Sequence, residues 1–286
     1  MSFSPDGAQL ATTSRYAPVK LWDTASARRI AEIETLGIQQ VVYSDDGSRL
    51  VTVAGRPTFP TMTAQVWQAA DGKKLLQIDF QGRLGVAALD PGGKYLFLCY
   101  NNAGSNAQGT TVRTWDLNLG QQVSEIVHEN PVTALVVSPD GKWLAIGDTQ
   151  GNVTIWDRER EEEHLRIRLE TEIAKAVFTR DAEWLAVAAG STAGIWQVAS
   201  GRQIARMPQG AGIRDIVFSA DGRWLVSGSV DRVSRAWAWQ PGDLIDRACR
   251  QLSRNLSRKE WREYLSGEEY EPTCARLHVE QGTTSY

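Results

Sequence analysis

Hydrophobic and polar positions alternate along residues 132–169 in a pattern that the rest of the chain repeats. Val132-Thr133-Ala134-Leu135-Val136-Val137 is a β-branched, strand-like run. Ser138-Pro139-Asp140-Gly141 follows, with Ser, Pro and Gly where a type I turn wants them. The glycine supplies the left-handed residue that closes a hairpin. Trp143-Leu144-Ala145-Ile146 predicts a second strand and Val153-Thr154-Ile155-Trp156 a third. A more polar fourth strand is expected within 163–169. Four antiparallel strands in about forty residues make one propeller blade.

The same turn recurs at Ser4-Pro5-Asp6-Gly7, Ser44-Asp45-Asp46-Gly47, Asp90-Pro91-Gly92-Gly93, Thr179-Arg180-Asp181-Ala182 and Ser219-Ala220-Asp221-Gly222. Each turn is followed by a tryptophan: Trp22, Trp67, Trp115, Trp156, Trp196 and Trp237, spaced 45, 48, 41, 40 and 41 residues apart. A period near forty means one supersecondary unit repeated, so stacking of units decides the fold. Ala182 stands where the other turns carry glycine, which costs stability if φ there is positive. Trp143, Trp184, Trp224 and Tyr95 share one register two residues after the turn and read as packing between blades.

The turn, the third strand and the closing Trp22-Asp23, Trp115-Asp116 and Trp156-Asp157 resemble WD40 repeats over residues 1–239. The resemblance implies an all-β, WD40-type β-propeller with about six recognisable blades, the first and last incomplete. It also implies structural roles for the six repeat tryptophans. Gln68, Gln197 and Ala238 replace the aspartate after Trp67, Trp196 and Trp237, and the family's Gly-His pair is nearly gone. Only His128 keeps the histidine, opposite Ile146 and Gln150, so the family's buried His–Ser/Thr–Asp–Trp chain is expected to be broken there. The last unit keeps Ser227, Asp231 and Trp237 but has Gln209 in the histidine's place. Apolar packing is therefore expected to outweigh that polar network.

The first unit opens in mid-strand at Met1, and the sixth stops after its third strand at Trp239. This points to the C-terminal part of a longer protein, or to a start at a miscalled methionine. Residues 240–277 carry helical signals. Asp243 is a candidate cap for a helix bearing Leu244, Ile245, Ala248, Cys249 and Leu252 on one face. Ser257-Arg258-Lys259-Glu260 is a capping box for a second helix with Trp261, Tyr264 and Leu265, stopped by Gly267. Residues 278–286 read as a disordered tail. The segment from Asp243 through Trp261 to Cys274 resembles the end of WD40 arrays in bacterial multidomain STAND-type signalling proteins. That resemblance implies effector or nucleotide-binding domains upstream and makes the tail cysteines core residues.

With 286 residues, 42% hydrophobic and 23% charged, the composition is that of an ordinary globular chain. A net charge of −3 argues against nucleic acid as the main partner. No apolar run reaches membrane-span length and no leader pattern opens the chain, so a cytoplasmic location without a membrane partner is expected. Cys99, Cys249 and Cys274 lack CxxC spacing, which suggests a reducing compartment and no zinc site; a Cys249–Cys274 bridge is the less favoured alternative. No phosphate loop, HExxH or GxSxG is present, and His128, His164 and His278 are scattered. Gly210-Ala211-Gly212 precedes a strand, not a helix, so it lacks the helix N-terminus that binds phosphate. No cofactor, metal or catalytic residue is expected. The mixed-charge run 157–164 reads as a solvated face.

Two long connections between second and third strands stand out, 55–63 and 101–111. They would emerge on one face of adjacent blades, where rigid scaffolds carry binding loops. Arg56, Phe59 and Met62 in the first, and Asn101, Asn102, Asn106 and Gln108 in the second, are the candidate contacts to a protein or peptide partner. The reading is a non-enzymatic interaction scaffold or sensor module of a bacterial signalling protein. The alternatives are a propeller-type hydrolase or a structural fragment of a truncated gene.

Overall fold

The turn between the first two strands of each unit is built the same way six times. Its first side chain accepts the backbone N–H five residues on: Gln9 to Ser4 at 2.9 Å, Arg49 to Ser44 at 3.0 Å, Tyr95 to Asp90 at 2.5 Å, Trp143 to Ser138 at 2.8 Å, Trp184 to Thr179 at 3.1 Å and Trp224 to Ser219 at 3.0 Å. In five of the six, that hydroxyl donates in turn to the aspartate two residues later. The fourth residue has positive φ throughout, 64° to 76° at the five glycines and 59° at Ala182. Ala182 thus adopts the backbone that its sequence position demands and its side chain disfavours.

The computed structural model describes residues 1–277 apart from 15–16, 36, 56–60, 82, 102–110, 266–268 and 275. Blade one comprises β1 (Ser2–Phe3), β2 (Gln9–Ser14), β3 (Ala17–Asp23) and β4 (Arg29–Ile33). Blade two comprises β5 (Ile38–Tyr43), β6 (Arg49–Gly55), β7 (Thr61–Gln68) and β8 (Lys74–Gln81). Blade three comprises β9 (Arg83–Leu89), β10 (Tyr95–Asn101), β11 (Thr111–Asp116) and β12 (Gln121–Val127). Blade four comprises β13 (Val132–Val137), β14 (Trp143–Asp148), β15 (Asn152–Asp157) and β16 (Glu162–Arg168). Blade five comprises β17 (Ile173–Phe178), β18 (Trp184–Ala189), β19 (Thr192–Gln197) and β20 (Gln203–Pro208). Blade six has β21 (Ile213–Phe218), β22 (Trp224–Ser229) and β23 (Ser234–Ala238), with no fourth strand among the described residues. In each sheet the strands pair in sequence order, and the registers of the first five blades are antiparallel throughout. These are the WD-type propeller blades that the repeat implied.

The chain divides into two compact units, residues 1–217 with 227–235, and residues 218–226 with 236–286. In the first, the second strands β6, β10, β14 and β18 are buried on both faces, and side chains of neighbouring blades interleave. One cluster joins Val51, Ala64 and Ile78 of blade two to Ala87, Leu96 and Leu98 of blade three. Another joins Ala145, Val153 and Ile155 of blade four to Ile173, Leu185 and Val187 of blade five. Polar stitches reinforce these contacts. The Gln40 side chain donates to the Ala87 carbonyl at 2.7 Å and accepts its N–H at 2.8 Å. Thr133 donates to the Ile173 carbonyl at 2.6 Å.

The repeat tryptophans are not equivalent. Trp67 and Trp196 are buried, whereas Trp156 is half-buried. Trp22 and Trp67 donate to Thr12 and Thr52 at 2.8 and 2.9 Å. At the matching position blade three has Leu98, and the Trp115 indole N–H is buried without a partner among the described residues. The His128 Nε2 is likewise buried and, among the described residues, unpartnered, as the broken chain implied. Asp148, beside it, accepts instead from Asn130, Asn152 and the Gln150 N–H. In the last unit the expectation of a lost network is corrected. Gln209 accepts from Ser227 at 2.6 Å and donates to Ser229 at 3.3 Å, so an amide fills the histidine's place.

The charged run 157–164 also differs from a uniformly solvated face. Asp157 is buried and accepts the N–H groups of Glu159 and Arg160. Arg158 lies over Tyr95 and Phe97, 5.3 and 4.9 Å from their centroids, and donates to the Gly141 carbonyl.

In the second unit, α1 (Pro241–Gln251) has Gln240 at its N-cap position, without a side-chain capping bond, and Pro at its start. Asp243 is not the cap; it lies in the first turn and takes a two-pronged ion pair from Arg223 at 2.9 and 2.6 Å. No residue of α1 is buried, so its apolar face is open rather than core. The capping box of α2 (Arg258–Tyr264) forms as expected, Ser257 with Glu260. Cys249 and Cys274 form a disulfide, Cα atoms 5.5 Å apart, so the less favoured bridge is the one present and the inference of a reducing compartment from unpaired cysteines loses its basis; Cys274 is buried as a core residue and Cys249 is half-buried. Asn255 holds the returning chain by accepting the Cys274 N–H and donating to the Cys274 and Leu277 carbonyls. The stop expected at Gly267 and the tail at 278–286 lie outside the described residues.

Candidate functional site

Backbone bonds sort the connections of the first unit to two ends. At one end, second-to-third-strand connections bond fourth-to-first-strand connections: Thr149 N–H to Pro131, Leu169 to Gly151, Gln209 to Ser191 and Ile213 to Gly190. At the other end, the aspartate turns bond the third-to-fourth-strand turns: Thr24 N–H to Ala8, Ala69 to Ser48, Leu117 to Lys94 and Arg158 to Lys142. The second end repeats one construction and is committed to turn geometry. The first end varies in length and sequence from blade to blade, so recognition has room to reside there.

Both long connections belong to that variable end. Arg56, Phe59, Asn102, Asn106 and Gln108 lie outside the described residues; Asn101 closes β10. Met62 is corrected: it belongs to β7 and is buried, not at a loop tip. Its Sδ lies where a Cβ on residue 55 would be, 1.9 Å away, so the glycine at 55 admits the thioether. Met62 packs in one cluster with Phe80 and Tyr100, whose rings are 4.6 Å apart. Arg113 stacks on Tyr100 at 4.5 Å and pairs with Glu125 at 3.4 Å. The roots of the two long connections are therefore fastened to one apolar block that bridges blades two and three.

A feature the sequence reading missed lies between blades four and five. A cleft of about 390 Å³ is lined by Arg168, Glu170, Thr171, Ser191, Trp196 and Arg206, among others. Its rim, residues 169–171, is clamped between two glycines. A Cβ at Gly151 would come within 2.4 Å of the Leu169 carbonyl oxygen, and one at Gly190 within 2.9 Å of the Thr171 hydroxyl. At Gly194 a Cβ would fall 2.3 Å from the Trp196 ring, so the indole lies against bare backbone. No spacing in the sequence signals this cleft, because its residues come from four strands and two connections.

Among the described residues no three His, Cys, Asp or Glu side chains are grouped to hold a metal ion. No helix there is long and apolar enough to cross a membrane.

The WD domain, G-beta repeat family model matches residues 120–157 and 201–237. Those two stretches match WD40 repeats. The matches end at Asp157 and Trp237 and include the Asp148 and Gln209 networks. The chain is 27% identical over 137 residues to Small ribosomal subunit protein RACK1 of Neurospora crassa, covering 44% of this chain and 43% of that protein. It is 29% identical over 186 residues to WD repeat-containing protein 70 of Xenopus laevis, covering 55% and 28%. It is 31% identical over 117 residues to the uncharacterized WD repeat-containing protein sll1491 of Synechocystis sp., covering 40% and 34%. The matched stretches span less than half the length of each relative.

Proposed function

We propose that the chain is a non-enzymatic protein–protein interaction module that presents the variable end of its blades to a protein or peptide partner. The observation that carries this reading is the contrast between the two ends: one constant and turn-committed, the other variable and rooted on a rigid block at Met62, Phe80 and Tyr100. The WD-repeat relatives support the same class of role. In this reading residues 1–239 are the recognition part and 240–277 a helical end segment of a bacterial signalling protein with effector or nucleotide-binding domains upstream. Neither nucleic acid nor a membrane is the partner. Arg56, Phe59, Asn101, Asn102, Asn106 and Gln108 are the proposed contacts; Met62 packs in the core at the start of β7.

The test is affinity capture from source cells, with retained proteins identified by mass spectrometry. Phe59→Ala combined with deletion of 103–109 should reduce the captured partner while leaving the melting temperature nearly unchanged. Capture that survives those changes but vanishes on removing 241–286 would move the docking surface to the end segment and overturn the assignment.

A further inference from the structure

We propose that the cleft between blades four and five binds a carboxylate-rich peptide segment, with Arg168 and Arg206 as the recognising groups. This rests on the interaction-module reading and gives the partner a chemistry. Arg168 ends β16 and Arg206 lies in β20, on strands that face the cleft from opposite blades. Among the described residues neither guanidinium has an ion pair or a side-chain hydrogen bond. Their neighbours are committed: Arg166 is held by Glu163 at 3.1 and 2.6 Å, and Arg158 by the Tyr95 and Phe97 rings. In a chain of net charge −3, two uncommitted guanidinium groups beside one lining carboxylate, Glu170, are a local excess of positive charge.

The rest of the cleft suits a glutamate or aspartate side chain. The guanidinium fork matches a carboxylate's two oxygens. The half-buried Leu169 offers apolar surface to the side-chain methylenes, and Thr171, Ser191 and Thr192 add hydroxyl donors. The volume falls in the range of ligand clefts, roughly 300–1,000 Å³. The rim is set in advance by the close approaches at Gly151 and Gly190, so little ordering is needed on binding. Because residues 169–171 and 191 also belong to the variable end, a segment seated here can continue onto that end. Glu170 opposes the ligand's charge, which supplies an internal control.

The experiment measures fluorescence anisotropy of a short fluorescein-labelled peptide alternating Glu and Ala, with its Gln-for-Glu counterpart, on the full chain. The Glu peptide should bind and the Gln peptide should not. Arg168→Gln and Arg206→Gln should each weaken binding about tenfold, the scale of a lost hydrogen bond to a charged group. The double variant should abolish it, and Glu170→Gln should tighten it. Arg202→Gln, an exposed arginine that does not line the cleft, should change nothing. Equal binding by the double variant, equal binding of the Gln peptide, or an equal loss in Arg202→Gln would overturn the proposal. If the Glu peptide fails to bind while cellular capture still depends on the long connections, the cleft assignment falls and the interaction module stands.

Discussion

Replacing Glu161 with glycine should stabilise the protein. In blades one to five the residue five places after the blade tryptophan sits in a tight third-to-fourth-strand turn. In blades two, three and five it is Gly72, Gly120 or Gly201, with φ of 73°, 65° and 68°. In blade four it is Glu161, with φ 55°. A residue with a Cβ bears a cost of about 1–2 kcal/mol in this left-handed region. Glycine removes that cost but loses about 0.5–1 kcal/mol through its freer unfolded chain. Glu161 is exposed and forms no side-chain bond among the described residues, so nothing else is forfeited. The net gain is roughly 0.5–1 kcal/mol, or about 2 °C in melting temperature for a chain of this size. Ala182→Gly makes the same backbone change at φ 59°, but its methyl is buried and worth about 0.8 kcal/mol, so the two effects should nearly cancel. Urea and thermal unfolding followed by tryptophan fluorescence would measure both. A Glu161→Gly variant no more stable than the parent would refute the strain argument. An equal gain at both sites would refute the packing role of the Ala182 methyl.

Thr52→Val keeps the shape but strands the buried Trp67 indole N–H, so it should cost about 1–3 kcal/mol in the same unfolding assay. Trp196→Ala should cost on the order of 3–5 kcal/mol, and Trp156→Ala clearly less because that ring is half-buried; equal losses would contradict the distinction. Burial holds the His128 imidazole below its ordinary pKa, opposed by Asp148, Glu163 and Glu129 and assisted by Arg166. The unfolded chain therefore binds that proton more readily. The stability linked to His128 is full above about pH 6.5 and is lost as pH falls below it. His128→Leu should flatten that slope between pH 5 and 6.5, read from urea midpoints.

The repeats were legible because each blade spends the same residues on the same local chemistry. A hydroxyl, an aspartate and a left-handed residue build the turn, and those act over a few positions that sequence shows directly. Ala182 could even be read as strained before its φ was known. Met62 was misread because polar neighbours suggested a loop, while its burial depends on the glycine at 55 across the hairpin. The Gln209 network was missed because an amide can do a histidine's hydrogen bonding without sharing its pattern. The Cys249–Cys274 bridge depends on how the chain returns past Asn255, and the cleft depends on which strands face each other across two blades. Pairings of that kind have no local signature.

Site-specific photocrosslinking tests the central claim most directly. Benzoylphenylalanine placed at Ser191, on the variable end, and at Glu159, on the turn-committed end, would each report which surface a bound partner touches. The account predicts crosslinks to a protein partner from position 191 and none from position 159, and loss of the former in the Arg168→Gln, Arg206→Gln double variant. Crosslinks from position 159 with none from 191 would contradict it.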